Sequence, residues 1–500
     1  MISDFIFIHE GSSLHLWPDA CLALLVGCPL TSMLFLALPR SKRAAQPLVA
    51  TLGIGVAFAL SLVLCSLSVA APALHDDLFS FDRLSSLMAA LVSGIAFVVH
   101  AFSLRYLDGD SRYEQFFVGL SGLSSTVLLL VTTNNLLLLA VAWWLVSQQL
   151  CSLQQHEEHR PQAIAAARGM RQAHLYGDVG CTLGAVVLML AGHSMRLDLA
   201  VAQLCVTNSP WTSLALAGFA VAACSKAAQI PLHRWLPDTM EAPTPVSALM
   251  HAGVVNAGGL LLTRLAPLLV HAWPVTLALF CVGAISALWG SACMLVRSEI
   301  KRKLAYSTMG QMGYMVMQCS LGAGSAAILH LIAHGIFKAN LFLGSGSAIG
   351  AHAHHRAPRH QPWIAASVGL ASGVFGWLVW VVLQQHELAP KSWVVFAFAT
   401  ATCMHMSRTL VQRGTREEIV LACIVTLVAL PSYALGLSWF EHFLARDLSQ
   451  IPCPIPNSMI WLMLLGFGLA LLSAWGIVPW PQAWRDRLYV SLLHEGHPPA

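Results

Sequence analysis

Residues 226–267 read KAAQIPLHRWLPDTMEAPTPVSALMHAGVVNAGGLLLTRLAP. Lys226 closes an otherwise apolar run, and a proline-rich turn separates that run from a second one carrying His251. An ammonium group inside hydrocarbon costs several kcal/mol, so packing alone does not account for it. The charge state of a desolvated lysine follows any neighbouring charge or water file. Those are the properties a proton relay uses. The competing reading is a lysine that snorkels to the interface beside Arg234, but Lys226 precedes the break and has small neighbours that let other helices come close.

The rest of the 500 residues agrees with a membrane setting, with 57% hydrophobic and 10% charged residues and a mean hydropathy of +0.68. A soluble domain carries about 25% charge. Apolar segments of bilayer-spanning length recur about fifteen times, near 17–38, 47–71, 82–106, 113–131, 134–153, 174–192, 211–231, 243–266, 272–296, 301–321, 324–349, 363–384, 391–410, 417–440 and 457–478. No short alternating segments of a β-barrel are present, so the expected fold class is all-α, a polytopic transmembrane bundle. Four regions are expected: N-terminal helices (1–110), a first five-helix repeat (111–267), a second (268–412), and C-terminal helices with an interfacial tail (413–500). Most of the 27 Lys and Arg fall in loops after odd-numbered spans. By the positive-inside rule this puts the N-terminus outside and the C-terminus in the cytoplasm. The basic excess therefore reflects orientation and gives no hint of nucleic acid. The start, MISDFIFIHEGSS, lacks the basic region and cleavage site of a removable signal.

Thirteen cysteines are scattered without a CxxC pair, a pattern that encodes neither a zinc knuckle nor an iron–sulfur cluster. Pro231 is expected to break the seventh helix and leave free carbonyls beside Lys226. Ser247 and His251 share one face of the next helix; Asn256, Gly258 and Gly259 follow as close-contact residues. His330, His334 and Lys338 recur every fourth residue, a stripe about 80° wide on one helix face. Three titratable groups so aligned can pass a proton with water between them. His100 within its apolar helix reads either as a helix-to-helix hydrogen bond or as part of a polar path. The loop histidines His352, His354, His355 and His360 suit a solvated loop better than a metal site, having no Cys or acid beside them.

The blocks KAAQIPLHRWLPDTMEAPTPVSALMHAG and KRKLAYSTMGQMGYMVMQCSLG, with AAILHLIAHGIFKANLFLGSGS, resemble the antiporter-like proton-translocating subunits of respiratory complex I and Mrp cation/proton antiporters. The resemblance implies two inverted five-helix repeats with broken helices and a polar axis at the bilayer midplane. Carried over by position, Lys226 matches the central pumping lysine, and His251, His330, His334 and Lys338 match the connecting proton path. Asp178, Glu241, Ser247 and His100 form a secondary polar path. HAGVVNAGG, MVMQCSLG and LHLIAHGIFKA are similar to the DabB branch, membrane subunits of inorganic-carbon accumulation complexes.

That branch implies an ion-conducting subunit, with no cofactor of its own, in the cell inner membrane. It would be coupled to a cytoplasmic DabA-like partner that resembles a β-type carbonic anhydrase and carries the zinc. The alternatives are a proton- or sodium-translocating subunit of a complex I or Mrp-type assembly, and a non-conducting anchor. Three positions depart from the complex I pattern: Trp144 stands where an acid pairs with the lysine, Leu175-Tyr176 replaces an arginine, and the twelfth span lacks the terminal lysine. Lys226 is accordingly expected to lack an acid partner, and influx through a simpler path to replace a full pump stroke.

Overall fold

The computed structural model describes residues 16–31, 45–70, 72–207, 209–346, 362–384, 390–411, 415–448, 452–474 and 482–495. A helix lies on each apolar segment named above, since in hydrocarbon a helix satisfies every backbone donor and acceptor within itself. In chain order they are α1 (Leu16–Gly27), α2 (Gln46–Ala70), α3 (Arg83–Tyr106), α4 (Tyr113–Thr132), α5 (Leu136–Gln154) and α6 (Pro161–Gly192). Next come α7 (Leu197–Thr207), α8 (Trp211–Lys226), the short α9 (Trp235–Asp238), α10 (Thr244–Ala252), α11 (Ala257–Arg264), α12 (Ala266–His271), α13 (Trp273–Val296), α14 (Ile300–Ser320) and α15 (Gly324–Leu343). The last five are α16 (Pro362–Gln384), α17 (Pro390–Leu410), α18 (Arg416–Leu444), α19 (Asn457–Ala474) and α20 (Gln482–His494). Among the described residues, nine helical stretches are long and apolar enough to cross a membrane.

Three elements differ from their expected bounds. Residues 161–173, expected as part of a charged loop, form the first turns of α6, which runs for 32 residues. The run PQAIAAARGMRQA explains this: proline fits the first helical turn, and Ala, Arg, Met and Gln are strong helix formers. The eighth span is one apolar stretch in three pieces, α10, a 3-10 turn at Val254–Asn256, and α11. The short α7 was not expected.

By internal contacts the chain divides into two units. The first runs to Met317 and includes His330–Ser345. Its closest helix pair is α6 against α8. A Cβ added to Gly177 would lie 2.6 Å from Ser225, one on Gly180 2.7 Å from the Gly218 carbonyl, and one on Gly184 2.9 Å from the Ala215 carbonyl. This is backbone-to-backbone approach through small residues.

At the other end of these helices, one polar knot ties three turns together. Asn134 donates to the Asp76 carbonyl and to Asp198, both at 3.0 Å. Arg196 grips Asp198 at 2.7 and 3.1 Å, and the Leu197 N–H donates to the Asn134 carbonyl at 2.7 Å. A two-residue antiparallel ladder, Leu74 opposite Phe81 and His75 opposite Ser80, closes the same end.

The second unit comprises Gln318–Leu329 and Gly346–Glu495. Its core packs Ala326, Trp380, Val395, Phe396, Ala434 and Leu437, and Ser372 donates to Thr426 at 2.7 Å between α16 and α18.

Candidate functional site

Lys226 is the last residue of α8, and the chain turns away immediately after it. Ala227 N–H donates to the Ala223 carbonyl at 2.9 Å, Gln229 N–H to Cys224 at 2.8 Å, and Trp235 Nε1–H to Ser225 at 3.1 Å, with Ala228 in the left-handed region at φ 51°. The carbonyls before the lysine are thus satisfied, and the expectation of free carbonyls there is corrected. The turn itself supplies the missing donors, as left-handed helix caps do. The following stretch is anchored by Ile230 N–H to Ser286 Oγ at 3.0 Å and by Gln229 Nε2 to the Ala227 carbonyl at 2.6 Å.

The Lys226 ammonium is fully buried and donates a short hydrogen bond to Ser147 Oγ. Ser147 in turn donates to Asp178 Oδ1 at 2.6 Å, and the ammonium lies 3.8 Å from the same oxygen. The Trp143 ring, one turn before Ser147 on α5, covers the ammonium at 5.6 Å, a cation–π contact. The lysine therefore has an acid. It comes from α6 rather than from position 144, which corrects the expectation of an unpartnered lysine. Trp144 is 49% exposed, and Leu175 and Tyr176 are 58% and 54% exposed. Those departures from the family pattern fall at largely exposed positions.

The connection N–H to O–H to carboxylate can carry a proton in one concerted hop. As the ammonium gives its proton to Ser147 and Ser147 gives its own to Asp178, a neutral amine and a neutral acid remain. Below this group on α6, one turn before Asp178, His174 is 1% exposed with its ring 4.6 Å from Trp235 in an edge-to-face arrangement.

The second group is built on α15 and α10. The His330 and His334 rings are 6.2 Å apart, His330 Nε2 meets Gln311 Oε1 at 2.9 Å, and the buried Lys338 ammonium donates to the Leu304 carbonyl at 2.9 Å. His251 stacks flat on Phe342 at 4.3 Å and shares the electrostatic field of His334 and Lys338. Gly335 makes this possible: a Cβ there would lie 2.9 Å from the Ala252 carbonyl. Both His334 nitrogens, His251 Nδ1 and the Ser247 hydroxyl are buried with no hydrogen-bond partner among the described residues. His251 thus groups with the histidine stripe, while Lys226 is hydrogen-bonded to α5 and ion-paired with α6.

The remaining expected residues divide. Both His100 nitrogens are bonded, to the Ala96 carbonyl at 2.7 Å and to Ser121 at 3.3 Å. That is a helix-to-helix contact. Glu241 sits in the turn after α9, where the Lys301 ammonium bonds the flanking carbonyls of Met240 and Ala242 at 3.4 and 3.2 Å. His352, His354, His355 and His360 lie outside the described residues. Ser147, His174 and Trp143 were missed. The i, i+4 spacing of His174 and Asp178 was a usable signal, obscured because α6 was expected to begin at 174.

Residues 133–381 match the family model "NADH:quinone oxidoreductase/Mrp antiporter, TM" and 78–117 the model for complex I chain 5 N-terminus. The probable inorganic carbon transporter subunit DabB2 of Halothiobacillus neapolitanus is 31% identical over 408 residues, covering 79% of this chain and 73% of that relative. The chain belongs to the DabB family of antiporter-like membrane subunits. It is a multi-pass membrane protein. A second such subunit from the same organism, DabB1, is 41% identical over 56% of this chain and 51% of its own length. The DabB of Bacillus subtilis is 35% identical over 59% of this chain and 60% of its own. The chain spans about half to three fifths of the length of these two DabB relatives. The Mrp complex structure from Dietzia sp. shares the fold, with a TM-score of 0.60 at 22% identity over 95% of this chain and 55% of that one.

Proposed function

We propose that this DabB-family chain is the proton-conducting subunit of an inorganic carbon uptake complex in the cell inner membrane, with its C-terminus cytoplasmic. The reading is carried by one observation: the buried Lys226 ammonium bridged through Ser147 to Asp178. A membrane helix bundle holds such a group at a cost only where the charge is used. Lys226 is the central relay, His330, His334 and Lys338 the lateral relay, and His251 on α10 the link between them. Hydration of carbon dioxide, and the zinc it needs, belong to a DabA-like cytoplasmic partner, and downhill ion flow makes that hydration vectorial. Lys226→Ala and Lys338→Ala should each abolish carbon uptake while the complex still assembles; full uptake in both variants removes the mechanism. Co-purification from native membranes with zinc analysis tests the partner.

The complex I-like reading draws support from the 37% identity over 299 residues to subunit L of the Mycobacterium tuberculosis NADH-quinone oxidoreductase. Uptake or flux that requires NADH and quinone would favour it.

A further inference from the structure

We infer that His174 is the proton-entry residue of the Lys226 group, passing protons between the end of α6 that carries Arg160, Arg168 and Arg171 and the Asp178–Ser147–Lys226 cluster. This rests on the conducting role proposed above. His174 is 1% exposed, and neither ring nitrogen has a hydrogen-bond partner among the described residues. His100 is the contrast within this chain: equally buried, it spends one nitrogen on the Ala96 carbonyl of its own helix and the other on Ser121 of α4, as a structural histidine does. Burying an imidazole without partners costs free energy, and the packing does not explain why one is kept.

Its place explains it. Asp178 lies one turn further along the same face of α6, and His174 feels the charge of Lys226 across the α6–α8 contact. Its ring is held against Trp235, whose indole N–H is pinned to the Ser225 carbonyl, and the Ser225 hydroxyl bonds the Ala173 carbonyl at 2.8 Å. The ring therefore sits at a fixed height between the arginines of α6 and the carboxylate. Of the charged groups, Lys226 on α8 acts on it directly, and Arg171 and Asp178 on its own helix and Asp238 and Glu241 on the segment packed against α6 are among the titratable groups of the surrounding elements.

An imidazole in that position takes a proton on one nitrogen and releases the proton of the other, across a bridging water, to the Asp178 carboxylate. The carboxylic acid then returns it through Ser147 to the Lys226 amine. The ring, neutral again in its other tautomer, resets by turning over.

The test is proton flux, driven by an imposed potential, through the full chain reconstituted in vesicles with any subunits that accompany it. His174→Phe keeps the ring packing on Trp235 and removes both nitrogens; His174→Gln keeps a polar group that does not titrate. Each should lower flux at least tenfold. Added imidazole, but not pyrrole, should restore flux to His174→Ala and leave Lys226→Ala inactive. Wild-type flux in His174→Phe and His174→Gln, with Lys226→Ala inactive, overturns the inference alone. Wild-type flux in Lys226→Ala overturns the conducting role and this inference with it. If His174→Phe fails to fold, His174→Gln and the imidazole comparison decide.

Discussion

At Ser147 a single hydroxyl joins the lysine of one helix to the acid of another. Its removal leaves the ammonium and carboxylate in sight of each other at 3.8 Å but without the shared hydrogen bond. Ser147→Ala should therefore slow proton flux by about a hundredfold, the lower end of the range for loss of a proton-transfer group, without loss of the folded complex. Asp178→Asn removes the charge itself. It should abolish flux and destabilise the protein by about 3 kcal/mol, because a buried ammonium is left without its counter-charge; flux and thermal unfolding of the same preparation check both. Trp144 is half exposed, so Trp144→Glu should leave its carboxylate in the outer environment and not rescue Asp178→Asn, although the family pattern puts the acid there. Recovery of flux in that double variant would show that an acid at 144 reaches the Lys226 ammonium.

The helix pair α6 and α8 is the element on which this geometry depends. Gly180 and Gly218 bring the two backbones together, and each would place a Cβ within 2.7 Å of the other helix's carbonyl oxygen. Gly180→Leu should cost about 1–3 kcal/mol or more by overpacking, lowering the unfolding temperature and breaking the Lys226–Ser147 contact. At the opposite end of α6, Asp198 is held below the usual carboxylate range. Burial alone pushes it up, but hydrogen bonds from Arg196, Asn134 and the Leu199 N–H outweigh that. A carboxylate so depressed contributes stability above its unfolded value of about 3.9, and the contribution is lost as pH falls through the folded value. Amide protection at Leu136 and Leu197, whose N–H groups close this knot, should drop in that acid window. Asp198→Asn should flatten the dependence.

Across the molecule, the two buried groups lie in the same compact unit, one using α5, α6 and α8, the other α10, α14 and α15. On the path proposed above they are successive stations and limit flux in series. Ser147→Ala combined with His334→Leu should then be no slower than the worse single variant, whereas independent paths would give additive losses in the double variant. The helical architecture was legible because hydropathy and the 3.6-residue period are local properties of a segment. So was the burial of Lys226 and Lys338, since a cation flanked on both sides by apolar turns has nowhere else to go. The start of α6 was not, because charge density suggested a loop where Ala-rich propensity makes a helix.

The sequence alone determined a polytopic helical membrane protein with two buried lysines and an aligned row of histidines. Only tertiary structure decided which acid serves Lys226, that His251 stacks on Phe342, and that His174 stands without a hydrogen bond among the described residues. Ser147 lies 79 residues from Lys226 and 31 from Asp178. Which side chains meet over such distances depends on where helices cross and how closely glycines let them approach. The periodicity of a single helix says which face is buried and carries no record of what that face is buried against.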